Sequence, residues 1–361
     1  MTPAGAEALW GPKIPDYRPR FPTHVHAGIA ILGSGQIARA AHLPAYRQYG
    51  LDVRGVWSHS QASTELVREQ FPFVHRVYNS PEELLADPDV TVVDIATRVE
   101  HRHHWLEAAI AAGKHVLAQK PLGTDPDALV PLIERAEAAG LCVAVNQNAR
   151  WAPVWRLATL LVDQGAIGGA VGVTHVLDKP LPPIVGTHFD EIPHMLISDY
   201  LVHWTDITRC WLGNKQVTSV RARDGRVPGQ PVSAKNPWTA TVQFECGDGA
   251  TAVLRVVGDV RTHSPSCPFW IHGTEGTVRG SILGREFVEL ERGDATHRYA
   301  VDGAWFVDGF AGAMGELLCA IDEGRQPYHS ARNNLATLRL THAALRSAEM
   351  SGAAQEVDLS L

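Results

Sequence analysis

Apolar runs long enough to cross a bilayer are missing. No stretch reaches the roughly 20 residues that a spanning helix needs, so no membrane partner is expected. Cysteine is scarce: the five thiols, at 142, 210, 246, 267 and 319, are odd in number and form no Cys-x-x-Cys pair. That pattern speaks against a disulfide framework or a zinc knuckle. It fits a reducing, cytoplasmic compartment with each thiol as a small buried hydrophobe. An excess of positive charge is missing too. Thirty-two Lys and Arg stand against 39 Asp and Glu, for a net charge of −7. A broad phosphate-binding surface is therefore not expected, and nucleic acid is not an expected partner. Long heptads, internal repeats and low-complexity tracts are lacking. A hydrophobic fraction of 45% with 20% charged residues excludes disorder as the main character. Over 361 residues it suits two domains.

What is present begins with a proline-rich segment, residues 1–23, read as an extended arm and not as a signal peptide. From His26 to Val145 short apolar runs alternate with helical patterns. Strands are expected at His26–Leu32, Val53–Trp57, Val90–Ala96, His115–Ala118 and Leu141–Val145. Helices are expected at Ile37–Tyr49, Ala62–Phe71, His103–Ala112 and Asp125–Ala139. Alternation of this kind predicts a doubly wound parallel sheet over 24–148. The pattern then changes. Helices at Trp151–Gln164 and Met195–Trp211 flank a strand at Val171–Leu177. From Gln216 to Leu290 apolar and polar residues alternate between Gly and Asp turns. The expectation for 149–361 is an α+β domain on an open, mainly antiparallel sheet, closed by helices at Val307–Glu323 and Asn333–Met350 that can pack back on the first domain.

Chemistry enters at Gly33-Ser34-Gly35-Gln36-Ile37-Ala38, between the first strand and the first helix. The first glycine permits a tight turn, the second a close approach of backbone to pyrophosphate, and Ala38 close packing of helix on sheet. The helix start offers unpaired N–H groups and a positive dipole end to phosphate. These residues are assigned to cofactor binding. The ribose position at the end of the second strand holds Ser58 and His59, neither an acid nor an arginine. NAD is preferred because no permanent positive charge stands there, and NADP stays open.

Lys120 ends the fourth of these strands, in Gln119-Lys120-Pro121, on the edge where ligands bind in open α/β sheets. An ammonium there can hydrogen-bond a reacting oxygen and stabilise alkoxide charge. Asp199, His203 and Asp206 sit at i, i+4 and i+7 of the Met195–Trp211 helix, which would put them on one face. A histidine suits proton transfer near neutrality. His188 and Asp190 precede this helix and are counted with the pocket. His-Glu-x-x-His is absent, and no metal is expected.

Taken together, these motifs resemble the Gfo/Idh/MocA oxidoreductases, over about Val25 to Pro327. The phosphate loop matches at Gly33, Gly35 and Ala38. Gln119-Lys120-Pro121 is similar to the family's Glu-Lys-Pro, and Asp199 and His203 match its Asp-x-x-x-His. Asn148-Ala149-Arg150-Trp151-Ala152-Pro153 looks like the crossover into its second domain, and Gly273-Thr274-Glu275-Gly276 like its turn. The resemblance implies a second-domain sheet whose outer face pairs subunits in a homo-oligomer. It implies a nicotinamide at the strand ends, with Lys120, Asp199 and His203 as catalytic residues facing a sugar, glycoside or cyclitol, and with Thr97 and Gln119 among the cofactor contacts. Arg150 and Trp151 join His188 and Asp190 as expected substrate contacts. Three positions depart from the pattern: Gln119 replaces the glutamate, Arg98 a proline, and Arg102 falls where a histidine is usual. The expected activity is reversible oxidation of a secondary hydroxyl. An NAD-dependent glycoside hydrolase using transient oxidation and a non-catalytic sugar sensor are the alternatives.

Overall fold

The computed structural model describes residues 13–23, 27–178, 181–213, 215–258 and 267–359. The expectations for residues 1–12, and for His26 as the start of the first strand, lie outside these. The chain forms two compact units, one gathering Arg18–Ala152 with Gly303–Arg339 and the other built around Pro153–Asp302 with the chain from Leu340. The second domain expected over 149–361 is thus not continuous, because residues 303–339 return to the first unit.

In the first unit six strands pair in parallel: β1 (Ile29–Leu32), β2 (Val53–Trp57), β3 (Arg76–Val77), β4 (Val92–Ile95), β5 (His115–Gln119) and β6 (Val143–Asn146). Their order is β3-β2-β1-β4-β5-β6. The joining helices are α1 (Leu43–Gln48), α2 (Gln61–Gln70), α3 (Pro81–Ala86), α4 (Val99–Ala111) and α5 (Pro126–Ala138). Their starts follow local chemistry. Asp125 accepts the N–H groups of Asp127 and Ala128 at 3.0 and 3.3 Å, and Ser80 accepts that of Glu83 at 3.1 Å. Pro126 and Pro81 occupy first-turn positions where no N–H is needed.

The central strands are mainly apolar because both faces are covered. Ala30, Leu32, Val93, Ile95, Val116 and Ala118 join one core, whereas Ile29, Ile31, Val92 and Leu117 join the other. Each core also takes residues from far along the chain, and this is why 303–339 belong here. Phe310, Met314 and Leu317 enter the second core, and Ala331, Leu335 and Leu338 the first.

Among the described residues the second unit carries α6 (Pro153–Asp163), α7 (Val202–Leu212) and nine strands: β7 (Ala170–Asp178), β8 (Val217–Gly225), β9 (Thr239–Cys246), β10 (Thr251–Val257), β11 (Cys267–Gly273), β12 (Thr277–Ile282), β13 (Phe287–Arg292), β14 (Ala295–Tyr299) and β15 (Gln355–Glu356). Their order is β14-β13-β12-β11-β7-β10-β9-β8-β15. The sheet is mixed: β7 and β10 run parallel, and the other pairs are antiparallel. One face packs on α6 and α7 through large rings. His175 of β7 stacks on Trp211 with centroids 5.3 Å apart, and Trp155 meets Trp204 edge-on at 5.3 Å. Burial among these rings pushes the His175 imidazole down to about 3. The last two helices are α8 (Phe310–Asp322) and α9 (Ala331–Glu349).

Three helices expected to be continuous are not. Ala38–His42 precedes α1, Leu196–Tyr200 precedes α7 and Trp305–Gly309 precedes α8, as single wider turns with i→i+5 hydrogen bonding. Leu201 N–H, for example, reaches Leu196 C=O at 2.8 Å. Each turn holds an extra residue and rotates the side chains before it against those after it.

Candidate active site

The chain turns sharply after β1. Gly33 has φ +102°, and a Cβ there would lie 3.1 Å from the carbonyl carbon and oxygen of Ala96. A glycine is therefore demanded by the fold itself. At Gly35 a Cβ would meet nothing within 4 Å among the described residues. Packing does not require glycine there, and the open side suits the close approach of a ligand. The helix begins at once, with Arg39 N–H donating to Gly35 C=O at 3.2 Å. The first-turn N–H groups of Gln36, Ile37 and Ala38 then have no carbonyl within the helix to bond. Such a start favours an anion.

Thr97 follows β4 beside this turn. Its Cγ2 is 3.2 Å from the position of a Gly33 Cβ. Its Oγ1 is buried with no hydrogen-bond partner among the described residues. An orphaned hydroxyl next to an open glycine turn fits a bound dinucleotide. Beyond β2, Ser58 is half-buried, the exposed His59 ring stands edge-on to Trp57 at 4.6 Å, and Ser60 caps α2 by accepting Ser63 N–H at 3.2 Å.

Lys120 stands half-buried at the end of β5, before a cis peptide bond to Pro121. Buried Arg102 ties this turn down, donating to Pro121 C=O and, at 2.6 Å, to Thr97 C=O. The other flank is Gln119. Its Oε1 accepts the Lys120 backbone N–H at 2.8 Å, and its Nε2 lies 3.1 Å from Nε2 of His42. His42 Nδ1 and the Tyr46 hydroxyl both reach Asp94 Oδ2 at 2.6 Å. His42, Tyr46 and Asp94 are fully buried. The sequence reading missed this set. Its signals were a single acid inside the apolar β4 and a histidine on the covered side of the first helix.

In the second unit the wider turn Leu196–Tyr200 places Asp199 before the break and His203 after it. The helix expected to run regularly from Met195 to Trp211 is interrupted there. His203 and Asp199 are half-buried, while Asp206 is 1% exposed and paired with Arg209 at 3.6 Å. Asp190 is also corrected as a substrate contact. Its Oδ1 accepts the N–H groups of Lys235 and Asn236 at 3.0 and 3.2 Å, so the buried carboxylate anchors a loop. His188 is exposed.

The two crossover residues are likewise built into packing. Arg150 is buried and donates to Tyr328 C=O at 2.8 Å and to Asn333 Oδ1 at 2.9 Å. Trp151 is buried edge-on to His329 at 4.6 Å and covers Gly312, where a Cβ would strike its ring. Both are explained by holding α8 and α9 against the first unit, a demand that residue type alone does not reveal. Among the described residues no group of His, Cys, Asp or Glu could hold a metal ion, and no helix is long and apolar enough to cross a membrane.

A parallel sheet with an open glycine turn, an orphaned hydroxyl beside it and a lysine at a neighbouring strand end defines a dinucleotide-binding oxidoreductase fold. The comparisons agree. The model of an oxidoreductase family with an NAD-binding Rossmann fold matches residues 27–147, and that of the GFO/IDH/MocA C-terminal domain matches 155–279. The chain belongs to the Gfo/Idh/MocA family. It is 29% identical over 222 residues to an inositol 2-dehydrogenase of Rhodococcus jostii, a match covering 61% of this chain and 58% of that enzyme. It is 27% identical over 344 residues to a 1,5-anhydro-D-fructose reductase of Ensifer adhaerens, covering 92% and 98%. An oxidoreductase from Agrobacterium radiobacter, solved with NAD+, L-tartaric acid and magnesium, has the same fold: TM-score 0.80, 22% identity, 92% and 98% covered.

Proposed function

We propose that the protein interconverts a secondary alcohol and a ketone on a polyhydroxylated ring, a sugar, glycoside or cyclitol, with NAD as the preferred nicotinamide. The observation that carries this reading is the clustering of Gly35, the Thr97 hydroxyl and Lys120 at the carboxyl ends of β1, β4 and β5. A bound nicotinamide supplies the hydride acceptor or donor. Gly33, Gly35 and the N–H groups of Gln36, Ile37 and Ala38 hold the pyrophosphate, Ser58 and His59 lie toward the ribose, and Thr97 lines the nicotinamide side, with the Gln119 side chain turned behind the Lys120 turn rather than toward the cofactor. Lys120 donates a hydrogen bond to the reacting oxygen and offsets its growing negative charge. His203 takes the hydroxyl proton in oxidation and returns it in reduction. Asp199 accepts a hydrogen bond from a neighbouring hydroxyl and fixes the ring. The relatives named above, one an inositol dehydrogenase and one an anhydrofructose reductase, support a ring substrate bearing several hydroxyls.

Lys120→Ala and His203→Ala are the test, each assayed on a panel of polyols, sugars and glycosides by the absorbance of the reduced cofactor. Each should lower turnover by about 10²- to 10⁴-fold while NAD binding survives. Unchanged turnover in both variants would overturn the mechanism. Release of a cleaved sugar without net cofactor reduction would favour the glycosidase reading. We further propose that the open face of the second unit's sheet pairs two copies of the chain.

A further inference from the structure

Asp94 is the only acid in β4, and it has no access to water. A carboxylate there needs donors. Two converge on Oδ2: His42 Nδ1 and the Tyr46 hydroxyl. Burial and the adjacent carboxylate hold the Tyr46 hydroxyl far above its usual range, so it stays protonated and donating. The remaining protons follow by elimination. Lys120 N–H is a donor, so the Gln119 atom facing it is the amide oxygen. The amide NH2 then faces His42, whose Nε2 must be a bare acceptor. The single imidazole proton sits on Nδ1 and points at Asp94 Oδ2. Every proton in the chain has one place.

We propose that Asp94, His42 and Gln119 form a one-way hydrogen-bond chain that positions the Lys120 turn and needs His42 neutral, which makes the turn indifferent to pH. The inference rests on the reading of Lys120 given above. Glutamine at 119 is what makes it work. A glutamate there would set a carboxylate oxygen against the bare Nε2, two acceptors face to face, unless His42 took a second proton. The groups facing His42 in the structure are Asp94 from β4, Tyr46 from its own helix, Gln119 from β5 and the uncharged Phe310 ring of α8, 4.8 Å away. An imidazolium between two carboxylates would be held protonated to higher pH than usual. Gln119→Glu should therefore switch the turn: intact at low pH, displaced as pH rises through the new His42 transition. His42, Gln119 and Asp94 are positioning residues, since they act through the backbone of Lys120.

The test uses the full chain labelled with 15N-histidine, without cofactor. Long-range 1H–15N correlation reads the His42 tautomer, assigned by the signal lost in His42→Asn. The wild type should show protonated Nδ1 and bare Nε2. Gln119→Glu should show both nitrogens protonated at the acid end, with one proton lost as pH rises. NAD titrations followed by tryptophan fluorescence should be flat with pH in the wild type and weaken roughly fivefold toward alkaline pH in Gln119→Glu. His42→Asn, which keeps a donor toward Asp94 but abandons Gln119, should weaken NAD at every pH. His42→Gln, which reaches Gln119 again, should recover most of it. A protonated Nε2 in the wild type, or a Gln119→Glu protein with the wild-type pH response, overturns the chain. Neither result bears on Lys120 itself, whose role falls only if Lys120→Ala leaves turnover intact.

Discussion

Gly33 and Gly35 stand two residues apart in one turn, yet the structure assigns them different duties, and alanine at each should separate folding from binding. At Gly33 alanine must adopt φ +102° and bring its Cβ to 3.1 Å from the Ala96 carbonyl group. The conformational cost alone is about 1–3 kcal/mol. Spread over a unit of this size, about 2 kcal/mol lowers the melting temperature by roughly 4–8 °C. At Gly35 the Cβ meets nothing within 4 Å among the described residues. Alanine there should leave stability unchanged or raise it by a few tenths of a kcal/mol, because it narrows the freedom of the unfolded chain. Its methyl group instead occupies the space through which a pyrophosphate approaches. An NAD affinity lower by about 10- to 100-fold corresponds to roughly 1.4–2.8 kcal/mol. Calorimetry of both variants without cofactor, and fluorescence titration with NAD, provide the four numbers. Tight NAD binding by Gly35→Ala, together with a wild-type melting temperature for Gly33→Ala, would refute the assignment.

Two further outcomes are expected. His175 stays neutral in the fold down to about pH 3, whereas in the unfolded chain it takes a proton below about pH 6.5. Unfolding therefore gains a proton in this window, and the fold loses about 1.4 kcal/mol per pH unit on acidification between these limits from this residue alone. His175→Phe should flatten the acid limb of stability, measured by urea unfolding at a series of pH values; an unchanged slope would show that the ring is not held neutral. On the opposite side of the second sheet, half-exposed Trp270 lies across from Thr174 and Arg279. Trp270→Asp should halve the mass seen in sedimentation if that face joins two copies, and a monomeric wild type would end the idea.

Much of the fold was legible because burial writes itself into residue choice. Val53–Trp57 emerges with its expected bounds, since an apolar stretch set between polar Asp52 and Ser58 leaves few alternatives. Strand direction was less legible. The parallel pairing of β7 with β10 leaves the same apolar alternation as an antiparallel one. The wider turns before α1 and α7 escaped because one extra residue hardly disturbs a hydrophobic stripe. The short β3 and α3 carry too few residues to show a period at all. In the site, the glycine turn and the strand-end place of the lysine could be read from spacing, as both depend on local backbone. Asp190 and Arg150 could not. Whether a charged side chain faces a ligand or is consumed by distant backbone groups, such as Lys235 N–H or Tyr328 C=O, depends on chain that folds back from far away.

The return of residues 303–339 to the first unit bears on how the protein is made. Arg18–Ala152 leave the ribosome early, but their two cores still lack Phe310, Met314, Leu317, Leu335 and Leu338. At ordinary elongation rates those side chains arrive on the order of tens of seconds later. Until then the nascent sheet exposes apolar surface on both sides, a natural target for chaperones. For the same reason, a fragment cut at the crossover would be left without the side chains that seal it.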